Sequence, residues 1–354
     1  MKFILVDISN LVHRAKHAVG QRVITGSTFD PFGVMTSDED ELRTSMIMDV
    51  IFGGITTAYM RFGGTHCVAA FDMRSWRRDV SESYKANRRD KVKTPEEEHD
   101  QELITAIIDE LQSFLQEYTN VTVLGADGAE ADDFIARWVQ LHQDPSDHNI
   151  IVSADGDFKQ LVGSNTDLYN PMTSTLYTTD GVFYQDGRKP AKSDTVVTLH
   201  GGSWKVKVNA KTGEKETFDP QWELFEKCIR GDISDNIPSA WPRVHTTKMK
   251  AAYEGSIVEW NNFINSTWGK DGEKHSVRER YEQNKRLIDL TCQPDHIKDL
   301  MDETIMAAVQ RHPARMVGAH FARFCNLYRL TKMLQQAEKY TAILSRGYQY
   351  DRTV

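Results

Sequence analysis

A chain of 354 residues, 40% hydrophobic and 10% aromatic with a net charge of −8, has length for about two domains and enough apolar residues for a sizeable core, which excludes global disorder. The opening MKFILVDISN is too short an apolar run for a secretion signal, and no window approaches the roughly 18 apolar residues of a membrane span, so a soluble, cytoplasmic protein is expected. Cys67, Cys228, Cys292 and Cys325 form no CxxC pair, which argues against a zinc site or a disulfide framework and fits a reducing compartment.

In chain order, FILV (3–6) reads as a strand, followed by a helix-like stretch over 41–62 and a second strand, CVAAF (67–71). Segment 74–93, RSWRRDVSESYKANRRDKVK, holds eight Lys/Arg against three Asp/Glu and is locally +5. TPEEEHDQE then reads as a solvated helix start, and Leu103, Ile107, Ile108, Leu111 and Leu115 give 102–118 a helical apolar stripe. VTVL (121–124) and IIV (150–152) complete four continuous apolar runs of the kind covered on both faces in a parallel sheet. Strand and helix in alternation predict an α/β fold, a mostly parallel sheet flanked by helices. From 181 to 220 the texture turns to Gly, Lys and Thr, with VVTLHGGSWKVKV reading as a hairpin in an insertion or bridge. After 221 the pattern is helical to the end, and Ser276 with Glu279 has capping-box spacing.

Every predicted strand leads into carboxylates just past its carboxyl end. FILV ends in Asp7 and CVAAF in Asp72; VTVL runs into a helix that begins with Glu130, Asp132 and Asp133; IIV runs into Asp155 and Asp157. In a parallel sheet those ends share one edge, where open α/β folds bind ligands. CIRGDISDNIP adds Asp232 and Asp235. Each acid alone has a plain reading as a turn or helix-start residue, but their coincidence at four strand ends points to a metal site. So many carboxylates raise one another's pKa unless cations intervene, and hard divalent ions such as Mg²⁺ or Mn²⁺ prefer oxygen ligands. Two such ions roughly 3.5–4 Å apart are the usual device for displacement at a phosphodiester.

The motifs FILVDISN, FDMRSWRRDVSESYKANRR, AEADDFIA, IIVSADGDFKQL and CIRGDISDNIP follow the order and spacing of the 5′-nuclease superfamily, and the chain resembles its T-even bacteriophage ribonuclease H branch most. The resemblance implies a PIN-like nuclease domain over 1–180, with a basic arch or clamp over about 73–105, and a C-terminal helical, helix-hairpin-helix-like DNA-binding domain over 221–354. It implies that Asp7, Asp72, Glu130, Asp132, Asp133, Asp155, Asp157, Asp232 and Asp235 arrange two Mg²⁺ ions, with Mn²⁺ as a substitute, and that Asp72, Asp155, Arg77 and Lys85 serve catalysis. The implied activity is that of a 5′–3′ exonuclease, flap endonuclease and ribonuclease H acting on DNA or RNA 5′ strands paired to DNA, as in primer removal during phage replication in a host bacterial cytoplasm. A monomer is implied, with a single-strand-binding protein or sliding clamp as partner.

Arg77, Arg78, Tyr84, Lys85, Arg88 and Arg89 match the family's arch segment, where basic residues would neutralise phosphates and Trp76 and Tyr84 would stack on bases. One departure is the family's glycine-rich hairpin after GDxSDNIP. Here the sequence reads SAWPRVHTTKMKAAY, which leaves Thr246, Thr247, Lys248 and Lys250 to meet the duplex backbone. A haloacid-dehalogenase-like phosphatase needs a second Asp two residues after the first strand's Asp, but Asp7 is followed by Ile8 and Ser9. A non-catalytic DNA-binding relative is the other alternative, although none of the nine acids is missing. The twelve histidines form no metal-like spacing, and His13, His17 and His66 read as structural or exposed.

Overall fold

The structure is a computed structural model that describes residues 1–24, 39–89, 92–209, 211–270 and 273–348. Its elements run β1 (Lys2–Asp7), α1 (Ile8–Ile24), α2 (Glu39–Phe62), β2 (His66–Ala70), α3 (Arg77–Val80), α4 (Ala86–Arg89), α5 (Pro95–Tyr118), β3 (Thr122–Leu124), α6 (Ala131–Leu141) and β4 (His148–Val152). A 3₁₀ turn over Gly156–Leu161 leads to β5 (Thr166–Asn170), β6 (Thr175–Thr178), β7 (Gly181–Tyr184), β8 (Val196–Leu199) and β9 (Gly202–Val206). Then come α7 (Pro220–Arg230), α8 (Thr246–Glu254), α9 (Ile257–Ile264), β10 (Thr267–Lys270), β11 (Glu273–Ser276), α10 (Val277–Ile288), α11 (Asp295–Val309), α12 (Val317–Leu327), α13 (Thr331–Gln335) and α14 (Ala337–Leu344).

The nine-stranded sheet has the order β3-β2-β1-β4-β5-β6-β7-β9-β8. Strands β3 to β5 pair in parallel, and the four predicted strands are the first four of them. Their continuous apolar runs are explained by burial on both faces. Ile4 and Val6 pack with helices α1, α2 and α5, while Phe3 and Leu5 pack with Phe134 and Trp138 of α6. Because β2 and β3 lie on one side of β1 and β4 and β5 on the other, the strand order reverses between β1 and β4. That is the switch point where such sheets form a crevice at their carboxyl ends.

Three features differ from the sequence reading. The predicted hairpin forms as β8–β9, but it and β7 extend the same sheet antiparallel, paired through β7–β9. The stretch after 221 is not helical throughout: β10 and β11 pair as an antiparallel hairpin. Residues 8–24, which carried no assignment, form α1, with Ile8, Val12, Ala15 and Val19 buried at helical spacing. Helices α7 to α10 enclose their own small core around Phe225, Ile229 and Phe263. Helices α11 to α14 instead return to the sheet domain, where Met301 joins one face and Phe321, Phe324 and Ile343 the other. No helix among the described residues is long and apolar enough to cross a membrane, and the four cysteines are free.

Candidate metal centre

The carboxyl ends of β1, β2 and β4 and the start of α6 supply the first seven acids, and the loop after α7 supplies the other two. Asp7 is the last residue of β1 and accepts a hydrogen bond from the Asn10 backbone N–H at 2.9 Å. Asp72 accepts from the Ala131 N–H at 2.9 Å, which ties the end of β2 to the first turn of α6. Glu130 is the N-cap of α6, and its backbone N–H donates to Asp133 Oδ2 at 3.1 Å. Asp155 caps the 3₁₀ turn by accepting from the Asp157 N–H at 2.9 Å. After α7, Gly231 has φ 74°, and a Cβ there would sit 2.4 Å from the Ile237 carbonyl oxygen, so only glycine permits this loop. The loop closes through paired Asp232 and Ile237 backbone bonds and carries Asp232 and Asp235.

Two subclusters emerge. Glu130, Asp132 and Asp133 each offer a carboxylate oxygen within 4.8 Å of the others, as do Asp157, Asp232 and Asp235. Both are bridged by lysines. Lys85 Nζ lies 2.5 Å from Glu130 Oε1 and 4.0 Å from Asp235 Oδ2. Lys227 Nζ contacts Asp157 Oδ1 and lies 2.7 Å from Asp232 Oδ2. Lys227 was missed in the sequence; it lies four residues before the glycine of GDISDNIP, on the turn of α7 that faces the acids.

The charge is only partly balanced. Burial pushes Asp7 well above the ordinary carboxylate range and Asp72 adds repulsion. Asp72 reaches solvent, yet desolvation within the crevice raises it too, with Glu130 contributing. Burial raises Asp132 despite Arg77 nearby, and raises Asp157 with help from Asp155. Asp235 is also raised by burial. Glu130 ends low: burial would raise it, but Lys85 and Arg77 more than offset that. Asp232 falls to about 2, because the Lys227 and Ser234 hydrogen bonds outweigh its burial. A site of raised carboxylates in which two ammonium groups do not suffice is chemically suited to further cations.

The basic segment lies differently from expectation. Arg77 is buried, 1% exposed, and grips Asp133 through both nitrogens at 2.8 and 2.9 Å; it also reaches Glu130 at 3.3 Å and the Leu287 carbonyl at 2.8 Å. Trp76 sits in the core beside α6, and Tyr84 is buried with its hydroxyl donating to Glu130 at 3.0 Å. Stacking of Trp76 and Tyr84 on bases, and phosphate contact by Arg77, are therefore corrected: these side chains have almost no free surface, Arg77 and Tyr84 hold the acids instead, and the Trp76 ring packs against the Arg77 guanidinium. Arg78 is half-buried, and Arg88 is exposed and paired with Asp235 at 2.7 Å; the side chain of Arg89 lies outside those described. Residues 95–105 of the expected arch belong to α5, capped by a Thr94–Glu97 box, with Ile104 in the core. Thr246, Thr247, Lys248 and Lys250 are exposed on the first turns of α8, with Lys248 Nζ 4.1 Å from the centre of the Trp241 ring. Arg230 donates to Thr246 Oγ1 at 2.7 Å, which links α8 to the helix that ends at the acidic loop.

The twelve histidines, without metal-like spacing in sequence, include two that the fold brings together. His148 and His200 meet at Asp167 on the opposite edge of the sheet. Sequence separations of 19 and 33 residues from Asp167 concealed them.

The family described as 5′-3′ exonuclease, N-terminal resolvase-like domain matches residues 2–187. Ribonuclease H of Enterobacteria phage T4 is 26% identical over 279 residues, spanning 73% of this chain and 77% of that protein. DNA polymerase I of Mycobacterium leprae is 27% identical over 246 residues, 68% of this chain, but the chain spans 24% of that polymerase's length. Among solved structures, bacteriophage T5 5′-exonuclease with bound zinc superposes with a TM-score of 0.54 at 16% identity, covering 96% of this chain and all of that one. A pseudo-enzyme–product complex of the T5 flap endonuclease with DNA and metal ions gives 0.52 at 16% identity, covering 93% of this chain and 100% of that one.

Proposed function

The chain belongs to the 5′–3′ exonuclease family, and on that footing, with metal ions bound in the similar T5 structures, we propose that it hydrolyses phosphodiesters at 5′ flaps and 5′ ends of strands paired to DNA, using two Mg²⁺ ions. The observation that carries this reading is the convergence of nine carboxylates on the crevice between β1 and β4, six of them in two subclusters of three. The donor set fits the ions: every ligand offered is a carboxylate oxygen, as hard divalent cations prefer, and the local excess of negative charge favours them. When bound, such ions supply Lewis acidity and make an attacking water more acidic.

The protein's own residues divide the remaining work. Asp7, Asp72, Glu130, Asp132, Asp155, Asp157, Asp232 and Asp235 hold the ions. Asp133 acts as a positioning residue, since Arg77 takes both its oxygens and the pair fixes the start of α6. Lys85, which in this structure pairs with Glu130, neutralises an oxygen of the scissile phosphate in this reading, while Arg78 and Arg88 meet the single strand. The exposed Thr246, Thr247, Lys248 and Lys250 hold the duplex backbone without reading its sequence. The proposal extends to RNA as well as DNA 5′ strands, which the similarity to the T4 ribonuclease H supports, and to a role in phage replication.

The test is cleavage of 5′-labelled DNA and RNA flaps on duplex DNA, with Mg²⁺ or EDTA, by the native chain and Asp155→Asn. Short 5′ products that require Mg²⁺ are expected. The variant should lose cleavage while binding the flap within several-fold. Tight binding without cleavage in either Mg²⁺ or Mn²⁺ would make the chain a non-catalytic DNA-binding relative.

A further inference from the structure

The edge of the sheet opposite the acidic crevice carries a second constellation. His148 opens β4, Asp167 is the second residue of β5, and His200 lies in the turn between β8 and β9. Both imidazoles point Nε2 at one atom: His148 lies 2.9 Å and His200 2.7 Å from Asp167 Oδ2. An ionised carboxylate only accepts, so each ring donates its Nε2–H to the same oxygen. Asp167 and His200 are mostly enclosed, 7% and 12% exposed, while His148 at 29% leaves one side open to solvent.

The turn that delivers His200 is built at a cost. Leu199 pairs with Gly202, so His200 and Gly201 form a two-residue hairpin turn, with φ of 51° and 77°. Such a turn favours Asn-Gly or Gly-Gly; a side chain at left-handed φ in its first position is uncommon, although His, like Asn and Asp, tolerates it better than most. Strain of this kind persists where a side chain is needed in one place. The ring is fixed further by Phe62, which packs against it in a T-shaped pair with ring centres 5.4 Å apart.

We propose that His148 Nε2, His200 Nε2 and Asp167 Oδ2 bind one Zn²⁺ ion, with water as the fourth ligand, and that the ion fastens the β8–β9 hairpin to the amino-terminal ends of β4 and β5. Two imidazoles and a carboxylate are a zinc-type donor set, whereas Mg²⁺ favours oxygen alone. The three donor atoms already lie within 4.8 Å of one another. Zinc bonds of about 2.0–2.1 Å at tetrahedral angles need ligand atoms about 3.3 Å apart, so the oxygen has to draw back from each ring by about half an ångström while the two Nε2 atoms, within 4.8 Å of each other, settle at the same spacing. Metallation at Nε2 places the ring proton of His200 on Nδ1, which faces Lys2 Nζ at 3.5 Å. The Lys2 ammonium must turn aside, and it therefore opposes the metal. The site is structural and separate from the catalytic ions, and gives the segment 181–220 an anchor.

The experiment titrates the full-length, chelator-treated protein with Zn²⁺ and, for the visible spectrum, Co²⁺, with excess Mg²⁺ present to occupy the acidic crevice. One equivalent of Zn²⁺ should bind in spite of the Mg²⁺, and Co²⁺ should give the intense absorption of a four-coordinate site. His148→Gln and His200→Gln should each weaken binding by more than about 100-fold, beyond the loss that follows from disturbing an outer-shell partner. Both should keep Mg²⁺-dependent flap cleavage. Lys2→Met should tighten binding, and Asp155→Asn should leave it unchanged. On the native chain, Zn²⁺ should slow proteolysis within 185–215, a readout that does not depend on how the variants fold. Zinc displaced by Mg²⁺, lost in Asp155→Asn, or without effect on proteolysis of the hairpin would overturn the proposal and leave a hydrogen-bonded His–Asp–His staple.

Discussion

Arg77 illustrates how a residue's chemistry depends on where the chain takes it. In sequence it belongs to a basic run suited to phosphate, but its guanidinium is enclosed and bidentate to Asp133. Removing one partner of a buried pair leaves the other charge uncompensated, so Arg77→Ala should lower unfolding stability by about 3–5 kcal/mol, measured by urea denaturation. A loss below about 1 kcal/mol would return Arg77 to a surface role. His66 gives a second residue-scale expectation. It is fully buried, with Nε2 2.7 Å from Thr122 Oγ1, and burial lowers its pKa from 6.5 to about 4. The folded protein thus binds this proton less tightly than the unfolded chain. Its contribution, about 3 kcal/mol, is present above about pH 6.5 and is lost as pH falls toward about 4. His66→Gln should flatten stability across that window, and an unchanged acid profile would assign the loss to other groups.

At the scale of elements, the loop after α7 and the helix α8 have separate roles that substitutions can distinguish. Gly231→Ala forces a Cβ into the Ile237 carbonyl and must shift Asp232 and Asp235. It should reduce cleavage more than tenfold with little change in duplex affinity; full activity would mean the loop yields cheaply. Lys248→Ala with Lys250→Ala should do the reverse, leaving cleavage at saturating substrate intact while the slope of log affinity against log salt shrinks by about 2, the share of two phosphate contacts. The elements also explain what the sequence disclosed. The first four strands were legible because burial on both faces makes them apolar throughout. Strands β5 and β6 were not, because Asp167, Thr175 and Thr178 are buried polar residues that break the run, and β7 is a four-residue GVFY that opens on glycine in a turn-rich segment. The positions of all nine acids were legible as strand-end, helix-start or loop residues. The fate of Trp76 and Tyr84 was not, because an aromatic beside arginines reads the same whether it faces a base or packs beneath a salt bridge.

For the whole molecule, the boundary suggested by composition near residue 221 does not coincide with the cores. Helices α7 to α10 enclose one, but α11 to α14 bury Phe321, Phe324 and Leu344 against the nuclease sheet's helices. A chain ending before α11 should therefore expose that face and aggregate, as judged by gel filtration; a monomeric, cooperatively folding fragment would show that these helices are dispensable. Lys85 and Lys227 have a consequence at the same scale. Each ammonium stands among carboxylates that would otherwise repel one another, so the crevice carries mobile counterions on its own side chains. On the proposed function, ions bound here would take over the neutralisation that the two ammonium groups already supply. The crevice is then a charged socket already fitted with plugs of its own, and its shape does not depend on the ions being there.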